Sequence, residues 1–371
     1  MNLVKKIGFL WAYSLPTVIV GSVLVGGPGW TWAPVGFTFV LIPILDALAG
    51  RDRSNLDKDQ YETALSDRFF DVLVYSYPYI HYALLLWGSY VLVTLPMTIG
   101  QQLGLMVSIG LHAGAIINVA HELGHRSSRV AQFHAKMALL SVSYMHFLIE
   151  HNRGHHVHVA TPLDPATSRR GQSVYGFWWQ SVVGGYRSAW RIEEKLLAKA
   201  GQPVWGIWNE MIWFTALPIL LCVVLTTAFS FLTGTVVWVV AVFFAVQSVV
   251  GFLLLETINY IEHYGIVRRE LSPGKYERVN PLHSWNASDR ISNFILFQLQ
   301  RHSDHHAYAS RPYQVLRHFD ESPQLPSGYP TMIVLALLPP FWFAIMNPRL
   351  DRWKTRAYRP EEIAAVVRQF A

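Results

Sequence analysis

The sequence predicts an all-α integral membrane protein: six transmembrane helices carrying a cytoplasmic, histidine-rich cap. Three observations predict it. Hydrophobic residues make up 52% of the 371-residue chain and charged ones only 15%, against about a quarter in ordinary soluble domains. Apolar runs long enough to cross a bilayer, about 20 residues each, recur at roughly 7–26, 30–50, 72–95, 98–119, 211–232 and 235–260. Lys and Arg are absent from 7–50, 69–125 and 200–267. A soluble protein with buried helices does not account for runs so free of basic residues.

The elements follow in pairs. The first run begins after Lys5 and Lys6 and reaches the second through Gly26-Gly-Pro-Gly-Trp30. It lacks a small-residue cleavage site and flows straight into the next run, so it reads as a span rather than a cleaved signal peptide. A basic loop with Arg51, Arg53, Lys58 and Arg68 follows. The third and fourth runs join near Leu95-Pro96, the fifth and sixth near Thr233-Gly234. No Lys or Arg stands in a hairpin tip, so the positive-inside rule puts both termini and the segments 120–210 and 262–371 on the cytoplasmic side. The run 331–346 contains Pro339-Pro340 and is too short to span comfortably. It reads as a helix or broken helix at the interface or packed on the cap. With no repeat beyond the hairpins and no low-complexity linker, residues 1–371 read as one domain.

Composition also excludes. A single cysteine, Cys222, lies in an apolar run and reads as a packing residue. One thiol makes no intrachain disulfide and no iron–sulfur or rubredoxin-type module, which needs four. No flavin or haem motif is present. The net charge of +6 fits topology and an acidic protein partner rather than nucleic acid.

The chemistry lies in histidine. The groups are His121-Glu-Leu-Gly-His125, Glu150-His151-Asn-Arg-Gly-His155-His156 and Gln300-Arg301-His302-Ser-Asp-His305-His306, with His263 in Asn259-Tyr-Ile-Glu-His263-Tyr-Gly265. Each follows a long apolar segment. Spacings of three and four put His121 with His125, His151 with His155 and His302 with His305 on shared helix faces. Nine imidazoles suit two metal ions, each with an open position. A zinc protease needs only three protein ligands and would leave two groups unused. Imidazole suits Zn, Cu, Fe and Ni alike; a nitrogen-rich site at the mouth of an apolar bundle fits oxidation of a lipid-soluble substrate. Glu122, Glu150, Asp164, Glu256, Glu262 and Asp304 lie in or near these groups, with Asn259 among them. They read mainly as partners for the second ring nitrogen of ligand histidines, though direct ligation is open. His81 and His112 lie within spans and show no ligand-spaced partner. His146, His158, His283 and His318 read as support residues, His134 as a helix-surface residue.

Three boxes of the form HxxxH, HxxxHH and HxxHH resemble the membrane desaturase and hydroxylase superfamily. The longer strings Glu150–Arg169, Asn259–Gly265 and Leu299–Ala307 are similar to those of the membrane alkane 1-monooxygenases, over residues of about 40–345. That resemblance implies a non-haem di-iron enzyme of a bacterial inner membrane. It implies insertion of one oxygen atom of O2 at an alkane's terminal methyl, with electrons from NADH through rubredoxin reductase and rubredoxin. The implied iron ligands are His121, His125, His151, His155, His156, His263, His302, His305 and His306. Xylene-type methyl hydroxylases are close alternatives. Acyl-lipid desaturases share the boxes but lack the Asn259–Gly265 string. A non-enzymatic membrane metal carrier would want ligands spread along a path, not converging at one end.

The helix ending at His263 must aim one face at the metals. Leu253, Leu254, Thr257 and Ile258 on that face, and Leu299 before the third box, are the expected walls of a substrate channel. Plain packing or lipid contact competes for each. Arg153, Arg169, Arg170, Arg268 and Arg269 make the cytoplasmic face basic, which suits an acidic electron carrier.

Overall fold

A computed structural model describes residues 3–357 and Glu361 of this chain. Every expected span is helical. By length and apolar composition four helices can cross a membrane: Leu3–Trp30, Ile99–Gly124, Glu210–Thr233 and Trp238–His263. Two expected spans fall short of that test for different reasons. The second is the apolar but short helix Ala33–Ala49, widened by a π turn at Phe37–Leu41. The third is the 27-residue helix Arg68–Thr94, whose Tyr75, Ser76, Tyr77, Tyr79, His81 and Tyr82 dilute its hydropathy. The run at 331–346 becomes two helices, Tyr329–Ala336 and Pro339–Ala357, bent by 119° where Pro339 and Pro340 interrupt the chain.

Local chemistry sets the helix starts. Thr98 and Gln101 exchange side-chain and backbone hydrogen bonds in a capping box. Asp67, Ser128, Ser173 and Asn209 cap Arg68–Thr94, Arg129–Leu140, Val174–Lys199 and Glu210–Thr233. Two helices then meet almost backbone to backbone. A Cβ on Gly110 would come within 2.6 Å of Val250, and one on Gly251 within 2.6 Å of Ala113. Small residues at such a seam let helices approach without a polar driving force. The seam fixes Ile99–Gly124 against Trp238–His263, each of which carries a histidine, His121 or His263, in its last turn.

The remaining histidines arrive on short, irregular pieces braced by polar contacts. Phe297 and Gln298 both take positive φ, 52° and 54°. Gln298 holds that bend by donating to Tyr313 O at 3.0 Å. Arg301, 4% exposed, donates to Leu316 O, Asp52 O and Ser54 O at 2.7–3.1 Å. It thereby ties the basic loop to the start of the helix His302–Ala307. Asp46 accepts from the amides of Ile291 and Ser292 at 2.7 and 3.0 Å. The long helix Val174–Lys199 leans one face on the second histidine segment, and a short hairpin pairs Glu270–Ser272 with Lys275–Tyr276.

Candidate metal centre

The nine boxed histidines converge into two groups, each with ring nitrogens all within 4.8 Å of one another. One holds His121, His125, His151, His156 and His305; the other holds His155, His263, His302 and His306. The grouping differs from the expected helical pairs. His151–His155 is a π turn, whose wider winding brings His151 Nε2 to within 2.9 Å of His156 Nε2. His155 turns to the other group and meets His306 Nε2 at 3.3 Å. In the third box His302 pairs with His306, four residues on, at 2.8 Å. His305 crosses to His121 at 2.8 Å and to His156 at 3.3 Å.

These contacts test whether the site fits metal. An imidazole nitrogen carries one hydrogen or one lone pair, yet His305 Nε2 and His306 Nε2 each face two further Nε2 atoms. Lone pairs aimed at a shared cation satisfy all of them. Two nitrogens bound at about 2.1 Å and at right angles stand about 3 Å apart, within the range seen here. Burial holds His151, His156, His302, His305 and His306 well below the ordinary imidazole pKa, with their neighbours' repulsion adding to it. His125 is pushed down to about 4, first by burial and then by His155. In these six rings burial favours the neutral form, which is the form that binds metal. The two groups can each hold a metal ion.

The acidic residues divide. Asp164 accepts from His155 Nδ1 at 2.9 Å and from the Thr167 hydroxyl and Ala166 amide. It fixes the His155 tautomer so that Nε2 faces the group. Burial alone would lower the His155 pKa, but the Asp164 carboxylate overrides it and leaves it raised. Glu262 Oε2 lies 3.1 Å from His302 Nε2. The others do not meet a ligand nitrogen. Glu122 faces Arg126 at 3.0 Å. Asp304 is gripped by Arg311 and Arg317 at 2.6 and 3.1 Å. Glu256 accepts from the Tyr144 hydroxyl and from Asn259 at 2.7 and 3.2 Å. Glu150 lines a small polar hollow beside His151 and His155. Burial, then Asp164, pushes its pKa up to about 8.

An apolar cavity of about 70 Å³ lies among Ile99–Gly124, Trp238–His263, residues 292–296 and Tyr329–Ala336. Leu254 and Ile258 line it; Leu253, Thr257 and Leu299 do not. Thr257 is occupied instead with the Trp178 indole at 3.0 Å, and Leu299 is buried in a neighbouring core. Asn118 and Tyr329 also line it, and the Tyr329 hydroxyl donates to Glu262 at 2.6 Å. Asn118 was legible, one turn before His121 on the same face; Tyr329 carries no sequence signal.

Three further expectations change. His134 is buried, not on the surface: Tyr79 Oη meets its Nε2 at 2.9 Å and Val130 O its Nδ1 at 2.8 Å. His81 and His112 have each other, Nδ1 to Nδ1 at 3.0 Å. Cys222, expected as a buried packing residue, does pack against an apolar cluster but is only half-buried.

Comparison with known proteins agrees with the geometry. Residues 100–336 match the fatty acid desaturase family. The chain is 42% identical to alkane 1-monooxygenase 2 of Alcanivorax borkumensis, over 94% of this chain and 92% of the relative. It is 44% identical to alkane 1-monooxygenase 2 of Pseudomonas aeruginosa, over 89% and 85%. The hydroxylase component of xylene/toluene monooxygenase from Pseudomonas putida is more distant, at 28% over 94% and 91%. Within the fatty acid desaturase family, this chain belongs to the alkane 1-monooxygenases.

Proposed function

We propose that the chain hydroxylates the terminal methyl of alkanes at a centre of two iron ions held by the nine histidines. The balance is RCH3 + O2 + two electrons + two protons → RCH2OH + H2O. The observation that carries this reading is the convergence of nine histidines into two groups next to an apolar cavity lined by Asn118, one turn before His121, and by Tyr329, which bonds Glu262 beside His302. When bound, iron supplies the redox chemistry that O2 activation and attack on an unactivated C–H bond require. The protein's part is positioning. An alkane offers no hydrogen-bonding handle, so only the width and length of the cavity decide which carbon meets the centre. Leu254 and Ile258 form its wall; Asn118 and Tyr329 stand at the reacting end.

The chain sits in a bacterial inner membrane as six spans, with both termini and the centre cytoplasmic. Ala33–Ala49 and Arg68–Thr94 supply the two spans that are less apolar or shorter. Hairpin tips free of Lys and Arg support the orientation. A cysteine at Gly27 is expected to label from the periplasm and one at Ser54 to resist it; the reverse pattern would overturn the orientation.

Electrons come from a separate acidic carrier, rubredoxin, itself reduced by an NADH-dependent reductase. A cleft of about 580 Å³ lined by Arg169, Arg170, Arg191 and Lys354 supports docking there, with Asp164 also among its walls. The test uses iron-loaded protein with rubredoxin, reductase, NADH, O2 and alkanes of several lengths. Primary alcohols and iron in both groups are expected. Alkenes as the main product, or no NADH-dependent oxygen uptake, would sink the reading.

A further inference from the structure

The four-histidine group has another donor beside it. Glu262 Oε2 stands 3.1 Å from His302 Nε2. That nitrogen also lies 2.8 Å from His306 Nε2 and 3.2 Å from His263 Nε2, so the carboxylate oxygen borders the convergence on the His302 side, just outside the four donors that lie within 4.8 Å of one another. Glu262 Oε1 accepts from the Tyr329 hydroxyl at 2.6 Å. Glu262 is 1% exposed and Tyr329 is fully buried. A buried carboxylate needs a compensating charge. Glu122 has Arg126 and Asp304 has Arg311 and Arg317. Among the described residues, no Lys or Arg is paired with Glu262. A cation at the histidine convergence supplies what is missing, and accounts for the 3.1 Å contact without taking His302 Nε2 out of the donor set.

We infer that Glu262 is a tenth metal ligand, a carboxylate oxygen completing the four-histidine group, and that Tyr329 is the positioning residue holding it. Both groups then present five donors. The negative charge falls on one ion only. Tyr329 also lines the apolar cavity, so the carboxylate stands between that ion and the reacting end of the substrate. The hydroxyl of Tyr329 fixes one oxygen and leaves the other for the metal, as partners of ligating carboxylates do.

This rests on the two-ion reading above, and the experiment separates the two. Wild type, Glu262→Gln, Glu262→Asp and Tyr329→Phe are purified full-length with ⁵⁷Fe. Iron is counted before and after a chelator challenge, and Mössbauer spectra are recorded. Wild type is expected to hold iron in two distinguishable environments. Glu262→Gln is expected to release one of them at least about tenfold more readily. The other should keep its wild-type lines, and that retained ion reports that the protein is folded. Glu262→Asp, which keeps the charge but withdraws the oxygen, is expected to do the same more weakly; it decides the matter should Glu262→Gln not accumulate. Tyr329→Phe should keep both ions and shift the lines of one. Glu262→Gln with full iron and wild-type lines overturns the inference, and an unshifted Tyr329→Phe spectrum removes Tyr329 from it. Wild type with a single iron environment would instead overturn the two-ion reading.

Discussion

The two histidine groups share their ligand chemistry and differ in everything around it. The five-histidine group has two half-buried members, His125 and His156, whereas all four histidines of the other group are buried. Phe147 stacks on His151 with ring centroids 4.7 Å apart. Glu122, next to His121, is turned away to Arg126. Among the described residues no Asp or Glu hydrogen-bonds any of the five. The four-histidine group touches two carboxylates, Asp164 through His155 and Glu262 through His302. Each leads outward. Asp164 lines the basic cytoplasmic cleft, and Glu262 reaches the apolar cavity through Tyr329. The difference assigns the groups different work. One group stands without a carboxylate partner; the other is joined both to the basic cleft and to the apolar cavity.

Deleting a ligand from either group gives the largest effect. His125→Ala and His306→Ala each remove a nitrogen from a closed donor set. Activity is expected to fall below about one-hundredth of wild type in both, since losing even a residue behind a ligand costs about 10- to 100-fold. Iron counts should drop selectively, with the opposite group's Mössbauer lines preserved. If His306→Ala empties both groups while membrane insertion is intact, the groups are one cooperative unit and the comparison fails.

Asp164→Asn comes next. It weakens the hydrogen bond that orients His155 without removing a ligand. The iron of the four-histidine group should bind about 10- to 100-fold more weakly, with the five-histidine iron unchanged. Chelator titration followed by iron analysis reads this directly. Equal loss from both groups would show that Asp164 acts on the fold rather than on His155.

Much of this was legible in the chain, and what was not has identifiable causes. The nine histidines stand out because spacing and apolar flanks mark them. Their partition does not. It depends on a π turn at His151–His155 and on the bend at Phe297–Gln298, and neither leaves a pattern of apolar periodicity. The acids show the same limit. Being near a histidine in sequence placed Glu122 and Asp304 beside the groups, but arginines from Arg126, Arg311 and Arg317 claimed them. Glu262, equally near, and Asp164, eight residues beyond His156, remained free to face inward. Of the residues expected to wall a channel, Leu254 and Ile258 line the apolar cavity. Thr257 was lost from it because its hydroxyl found Trp178.

The cavity gives a smaller effect, read in products rather than metal. Leu254→Phe or Ile258→Phe intrudes on a space that adjoins the four-histidine group through Tyr329. A methylene in an apolar site is worth about 1–3 kcal/mol, so preference between alkanes a carbon or two apart should shift about tenfold toward the shorter. Val242 on the same helix is 51% exposed, and Val242→Phe should leave the profile unchanged. Competition between alkanes of different length, analysed by product, measures it. An unaltered profile in both bulky variants would put the substrate path elsewhere and detach the cavity from the four-histidine side.

Salt gives the smallest effect. The cleft beside Asp164 carries Arg169, Arg170, Arg191 and Lys354. Arg170 is already paired with Asp351 at 2.7 Å, which leaves part of the charge for a partner. Exposed charges attract over roughly 10 Å at about 0.1 M salt and less above it. They mainly speed encounter. With the reductase saturating and rubredoxin limiting, turnover should therefore fall a few-fold as ionic strength rises, while iron content stays constant. Arg169→Glu should lower the low-salt rate and flatten the dependence. Arg129→Glu is the matched control, an exposed arginine a few residues beyond His125 on the side of the five-histidine group; it should leave the salt response as in wild type. If Arg129→Glu flattens the response and Arg169→Glu does not, electrons reach the centre from the five-histidine side, and the division of work between the groups is reversed.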